Sequence, residues 1–207
     1  MNKQELVDSL KEKGFPKPIL DAFSRVKREN FIPEKLRAYA YEDTALPIGK
    51  GQTISQPYTI AVMLSLLELK KGQKVLEIGS GCGYVLALIS EIVGTKGEVF
   101  GVEIVKELAE ISKINLEKEK RYRNIEVYNR DGSFGLEEKS PFDRIIISAA
   151  CEEIPERLVS QLKEKGIIVA PVGRYEQSLM AFEKTKGRMK LKKEIPGFVF
   201  VPFVKKE

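Results

Sequence analysis

Between residues 75 and 172 the chain alternates short apolar runs with segments of helical periodicity, and this alternation constrains its fold more than any other feature. Val75–Ile78, Val99–Val102, Ile125–Tyr128, Arg144–Ile147 and Ile167–Val172 are rich in branched side chains and too short to be buried helices. Helical patterns over Tyr84–Val93, Lys106 to about Lys118 and Pro155–Leu162 separate them. Strands that are apolar on both faces and joined by helices form a parallel sheet covered on both sides. The reading is therefore α/β, with a mostly parallel sheet and helices on both of its faces.

The flanking segments read differently. Residues 2–13, Pro18–Val26 and Leu36–Tyr39 have helical spacing, and Gly14 is a stop signal. Tyr41–Pro57, punctuated by Pro47, Gly49 and Gly51, reads as an ordered loop. Pro57 suits the first position of a helix that reaches about Leu69, with Ile60, Met63, Leu64 and Leu67 on one face. Ser178–Lys184 and Arg188–Ile195 form a hairpin around Thr185–Gly187, and Phe198–Val204 is a further extended run. The two hairpin strands bring the sheet to seven. The length fits one domain, 1–207, with an N-terminal helical region (1–70), an α/β core (71–173) and C-terminal antiparallel strands (174–207).

The formal net charge of +5 suggests a nucleic-acid partner until its location is considered. Residues 181–207 hold eight lysines and arginines against three acids, so the whole excess lies in that segment. There, Arg188–Lys192 alternates basic and apolar residues, a pattern that protects an edge strand. The chain has no histidine, which excludes the commonest general base, the Ser-His and Cys-His nucleophile systems and most zinc sites. Its two cysteines, Cys82 and Cys151, form no metal motif, and no metal is expected. With no signal-like N-terminus and no apolar stretch of membrane-spanning length, the expectation is a cytoplasmic protein with no membrane or nucleic-acid partner.

The sharpest local signal is Glu77-Ile78-Gly79-Ser80-Gly81-Cys82-Gly83-Tyr84, after one strand and before one helix. Its glycines let the backbone approach a ligand at the carboxyl end of the strand, where open α/β sheets bind them. A dinucleotide fingerprint would read G-x-G-x-x-G. Here the spacing is G-x-G-x-G with Glu77 ahead of it, which suits a cationic, phosphate-free ligand such as S-adenosylmethionine. Glu103 ends the next strand, 24 residues after Gly79, and can accept both ribose hydroxyls. Asp131-Gly132 follows the third strand; Asp131 either reaches an adenine amino group or caps a turn. Tyr84 reads as core. Cys82 reads as a small spacer, although a helix start would lower its thiol pKa.

Glu77–Tyr84 resembles the first motif of class I S-adenosylmethionine-dependent methyltransferases. The segment Leu46–Pro57, LPIGKGQTISQP, is similar to the signature of the protein-L-isoaspartate (D-aspartate) O-methyltransferase family. Arg28–Pro33, Ala40–Asp43, Asp131-Gly132 and Pro141–Ile146 match the same family in order. Lys50 stands where members often have histidine, and Cys151-Glu152 departs from a family segment that often reads T-A-A-A-P.

The resemblance implies a Rossmann-like, doubly wound sheet with an N-terminal helical region and an unusual order of the last strands. It implies a monomeric protein-repair enzyme that methylates the free α-carboxylate of L-isoaspartyl residues in damaged proteins and peptides. The ester then collapses to a succinimide, and S-adenosylhomocysteine is the other product. By position, Ser55 is the active-site serine, with Thr53, Ile54 and Val201 beside the substrate. Ile48, Gly49, Lys50 and Gly51 are implied in cofactor binding, as are Glu77, Gly79, Ser80, Gly81, Gly83, Glu103, Asp131 and Gly132.

The chemistry agrees with the missing histidine. A carboxylate is ionised at neutral pH, so no base is needed to activate it. Ser55 can aim it by a hydrogen bond, and its alternative role is to cap the helix opening at Pro57. The competing reading on this fold is a nucleic-acid (for example tRNA) methyltransferase. It expects an Asn/Asp-Pro-Pro-Tyr motif where this chain has Ser148–Cys151. A non-catalytic binding module would have lost the glycine turn or Glu103, and a dehydrogenase would carry a catalytic His or a Tyr-x-x-x-Lys pair.

Overall fold

A computed structural model describes residues 1–204; the last three residues assigned to the C-terminal strands, 205–207, lie outside the described residues. Seven strands form the main sheet: β3 (Lys74–Ile78), β4 (Glu98–Glu103), β5 (Ile125–Asn129), β6 (Phe142–Ile147), β7 (Leu162–Val172), β8 (Gln177–Thr185) and β9 (Arg188–Phe198). Their spatial order is β5-β4-β3-β6-β7-β8-β9. The first five are parallel, and β8 and β9 add on antiparallel. The expected seven-stranded, mostly parallel sheet is therefore present.

Alternate residues of each central strand serve opposite cores. Val75, Val99, Ile146 and Ile167 pack on one face, while Leu76, Phe100, Ile145, Ile147 and Ile168 pack on the other. Because both faces are buried, these strands read as continuous apolar runs. Successive strands β3, β4 and β5 advance towards one edge. The chain then returns to lay β6 on the other side of β3. That reversal is the switch point at which a crevice opens beyond the strands' carboxyl ends.

The helices follow the sequence closely. Asn2 and Glu5 make a capping box for α1 (Lys3–Glu12), and α2 (Lys17–Arg25) opens next to Pro16. Helix α4 (Tyr84–Val93) has the expected bounds, α5 (Lys106–Glu117) is one residue shorter, and α6 contracts to Glu156–Ser160. Helix α3 (Pro57–Leu67) stops before Leu69 because Glu68 turns left-handed at φ 51°, and Arg144 donates to the Leu67 and Glu68 carbonyls. Its expected single apolar face is also too narrow. Ala61 and Val62 are buried as well, since α3 is enclosed between the sheet and the N-terminal helices.

Two segments depart from the sequence reading. Tyr41–Pro57 is not a plain loop: it contains a hairpin of β1 (Leu46–Gly49) and β2 (Gln52–Ile54). Gly49, Lys50 and Gly51 all have positive φ, at 96°, 55° and 71°, and this run closes the reversal. The second departure is at the end of the chain. Strand β9 continues through Phe198, and after it the extended tail is tied by a bridge from Pro202 to Ala150, just after β6, and by the Phe200 amide donating to the Gln177 side chain at 2.7 Å.

Gly83 shows how tightly the glycine turn is built. It caps α4 at φ 88°, and a Cβ there would lie 2.5 Å from the Ser112 hydroxyl of α5. Gly83→Ala should cost about 2 kcal/mol in urea unfolding, from left-handed strain and the forced contact. Adding Ser112→Ala should recover only part of the loss, because the backbone strain remains.

Candidate active site

Two adjoining cavities lie over the switch point. The first, about 310 Å³, is walled by the glycine turn after β3, the residues after β4, Gly132 after β5 and the tail. Gly79, Gly81 and Glu103 line it, with Ile48 of the hairpin opposite. The second, about 570 Å³, is walled by Asp43, Thr44, Ser55, Gln56 and Thr59 and by the tail residues Phe198–Val201. Thr53, Ser148 and Val201 line both cavities, so the two chambers meet there.

The first chamber is mainly apolar, and no lysine or arginine lines it among the described residues. A pyrophosphate would find no cation in that wall. Its buried acid, Glu103, is held rigidly: Gly81 N–H donates to one carboxylate oxygen at 2.8 Å and Val105 N–H to the other at 2.9 Å. Each oxygen keeps a second lone pair for a ligand hydroxyl. Glu77 lies deeper and is fully buried. The Ser148 hydroxyl donates to its Oε1 at 2.7 Å, while Oε2 has no partner. Burial pushes the Glu77 pKa up to about 8, the Ser148 bond opposes this, and the charge of Glu103 adds to it. An unpaired buried carboxyl oxygen suits a cationic group, in keeping with the residues expected for S-adenosylmethionine.

The remaining candidates separate by position. Ile48, Gly79, Gly81, Glu103 and Gly132 line the first chamber. Gly49, Lys50 and Gly51 form the hairpin turn outside it, and Lys50 donates to Glu107 at the start of α5 at 2.6 Å. Ser80 is buried under the turn, and Gly83 packs on α5. Asp131 accepts from Ser133 N–H at 2.8 Å, capping a short 3-10 turn just behind Gly132. The capping bond leaves the adenine reading open, since one carboxylate can serve both. Cys82 is buried, and burial raises its thiol to about 12, the reverse of the helix-start effect and in keeping with a spacer. Tyr84 is core, edge-on to Phe23 and Phe31.

In the second chamber, Ser55 is half-buried, Thr53 is exposed beside it and Ile54 is buried beneath the hairpin. The capping role considered for Ser55 is not formed. Gln56 occupies the cap position without a side-chain bond to the helix backbone, and Asp43 accepts from Tyr58 N–H at 2.8 Å instead. The Ser55 hydroxyl therefore has no helix-capping task. Ser148 and Ala149 line the first chamber but escaped the sequence reading, whereas the tail residues Val201–Val204, expected near the substrate, line it as well. Ser148 follows β6 directly at the switch point, a signal that was available once β6 was placed next to β3.

The Glu77 environment predicts a pH effect. Its folded pKa of about 8 lies above the reference 4.5, so the folded state binds more protons between these values and loses stability as pH rises. Glu77→Gln removes this linkage. In ligand-free protein, its stability relative to the parent should increase from pH 5 to 8 by about 1 kcal/mol per pH unit at most, read from urea unfolding. A difference independent of pH would place the Glu77 proton elsewhere.

Comparison with known proteins agrees with this geometry. The protein-L-isoaspartate (D-aspartate) O-methyltransferase family matches residues 1–207. A protein-L-isoaspartate O-methyltransferase of Methanothrix thermoacetophila is 45% identical over 206 residues, covering 100% of this chain and 96% of its own. One from Ignicoccus hospitalis is 44% identical, covering 99% and 98%. Among solved structures, a protein-L-isoaspartate O-methyltransferase superposes with a TM-score of 0.88 at 33% identity, over 97% of this chain and 65% of that longer one. A Plasmodium falciparum protein described as a putative member, in complex with S-adenosyl-L-homocysteine, superposes at 0.87 and 27% identity over the full length of both.

Proposed function

The chain belongs to the protein-L-isoaspartate (D-aspartate) O-methyltransferase family, and from that premise we propose how its two chambers divide the work of isoaspartyl methylation. It is an S-adenosylmethionine-dependent carboxyl methyltransferase acting on the α-carboxylate of isoaspartyl residues. In our reading the first chamber takes the cofactor and the second takes the isoaspartyl carboxylate. The observation that carries this assignment is the shared wall of Thr53, Ser148 and Val201, with Ser55 on one side and Gly79, Gly81 and Glu103 on the other.

S-adenosylmethionine supplies a methyl group on a sulfonium whose departure leaves a neutral thioether. The chain's own residues then have to bind, align and exclude water. Gly79 and Gly81 would let the backbone come close, Glu103 would accept hydrogen bonds from ribose hydroxyls, and Glu77, buried behind the glycine turn, would favour a cationic ligand. The Ser55 hydroxyl donates a hydrogen bond to one carboxylate oxygen and turns the other towards the shared wall. Nearby, the N-terminus of α3 favours the bound anion. No proton has to move, since the nucleophile is already ionised, and a chain without histidine loses nothing by it. Alignment of this kind can contribute roughly 7–11 kcal/mol.

The enzyme in this reading is a cytoplasmic monomer with damaged proteins and peptides as partners, and without nucleic-acid or membrane partners. Its N-terminal region (1–70) and the described part of its C-terminal segment (174–204) build the substrate chamber on the cofactor core (71–173). No described helix is long and apolar enough to cross a membrane.

Two paired peptides, identical except for an isoaspartyl or an aspartyl linkage, test the function. Base-labile methyl ester should form on the isoaspartyl peptide alone. Ser55→Ala should lower turnover about 100-fold, as loss of alignment does, while S-adenosylhomocysteine affinity stays within twofold, or roughly so. Undiminished turnover would remove Ser55 from the mechanism.

A further inference from the structure

Arg28 is a full positive charge buried beneath the substrate chamber without a bonded carboxylate. Its side chain is completely inaccessible. One guanidinium nitrogen donates to the Ala40 and Glu42 carbonyls at 2.8 and 3.3 Å, and the other to Thr44 and Ser55 at 3.0 and 3.1 Å. Its Nε is buried with no partner. Among the described residues, Arg28 forms no salt bridge within 4 Å, and it stands 5.9 Å from the ring of the buried Tyr84. The nearby acid is Asp43, whose charge acts on the guanidinium but which accepts from Tyr58 N–H at the start of α3.

Removing an unpaired cation from water is costly. Carbonyl groups alone could be held by a neutral donor at less cost. The charge is placed so that one of its bonds ends on the main chain of Ser55, a residue that lines the chamber. Thr44 and Asp43, carried by the same pinned segment, line that chamber too.

We propose that Arg28 is the positive pole of the substrate chamber, a positioning residue that fixes Ser55 against residues 40–44 and favours an ionised carboxylate over a neutral ligand. It acts through the Ser55 main chain and through its field, without touching substrate. The inference rests on the assignment of the second chamber to the isoaspartyl carboxylate. By Coulomb's law, a unit charge at a separation on the order of 8 Å and an effective permittivity of about 20 favours an anion by about thirtyfold.

The test uses full-length enzyme loaded with S-adenosylhomocysteine, titrated calorimetrically with an isoaspartyl peptide and with the same peptide carrying an α-carboxamide. The parent should prefer the carboxylate. Arg28→Met should lower that preference by roughly tenfold or more. Arg28→Lys should keep the preference within about threefold, because the charge remains, while kcat falls because the fork over the four carbonyls is lost. An Arg28→Met protein that discriminates as the parent does, or that weakens both peptides equally, overturns the proposal. If Arg28→Met fails to fold, Arg28→Lys decides it, and loss of the preference with the charge retained is the contradicting result. A parent that binds neither peptide, or binds both alike, would instead refute the chamber assignment itself.

Discussion

The bond between the Ser148 hydroxyl and the buried Glu77 carboxyl joins the two strands that part around the ligand crevice. Glu77 is on β3 and Ser148 follows β6, and these strands run on either side of the topological switch. The Ser148 amide also donates to the Ile78 carbonyl at 2.8 Å, which fixes the start of the loop after β6 against the glycine turn. From this junction the first chamber opens over Gly79 and Gly81, and the second lies beyond Ser148 towards Ser55. Displacing the junction would move both walls at once. This coupling explains why a polar pair is kept deep in an otherwise apolar sheet despite its desolvation cost.

The N-terminal region makes the other half of the site, and two charged side chains set within its apolar packing shape the chamber wall. Asp43 holds the first turn of α3, and Arg28 gathers the carbonyls of Ala40, Glu42, Thr44 and Ser55. The hairpin of β1 and β2 then carries Ile48 to one chamber and Thr53 to both. A reaction whose nucleophile arrives ionised needs such a frame more than it needs a proton acceptor.

Much of this was legible in the sequence, for physical reasons. Buried parallel strands must be apolar on both faces, so β3, β4 and β6 stood out, and the Glu77–Tyr84 turn located the ligand end of the sheet. Glu103 followed from its place at the end of β4. The hairpin at Leu46–Ile54 was hidden because a two-stranded ribbon of three or four residues has too little alternation to register. Capping by Asp43 was hidden because it acts across 15 residues of sequence. The tail was legible only through the family resemblance, which put Val201 beside the substrate; Val201–Val204 meet the site through the tertiary fold, tied by the Ala150 and Phe203 amides. The basic surplus, which suggested nucleic acid, lies partly on β9 at the far edge of the sheet. There Lys192 contacts both Glu68 and Glu183.

The central claim is that two chambers meet at Thr53, Ser148 and Val201, and a crystal structure with S-adenosylhomocysteine and an isoaspartyl peptide tests it most directly. The account predicts the thioether sulfur in the chamber of Gly79, Gly81 and Glu103, and the peptide α-carboxylate in hydrogen-bond contact with the Ser55 hydroxyl, facing that sulfur across the shared wall. A carboxylate bound away from Ser55, with no open line to the sulfur past these three residues, would contradict it.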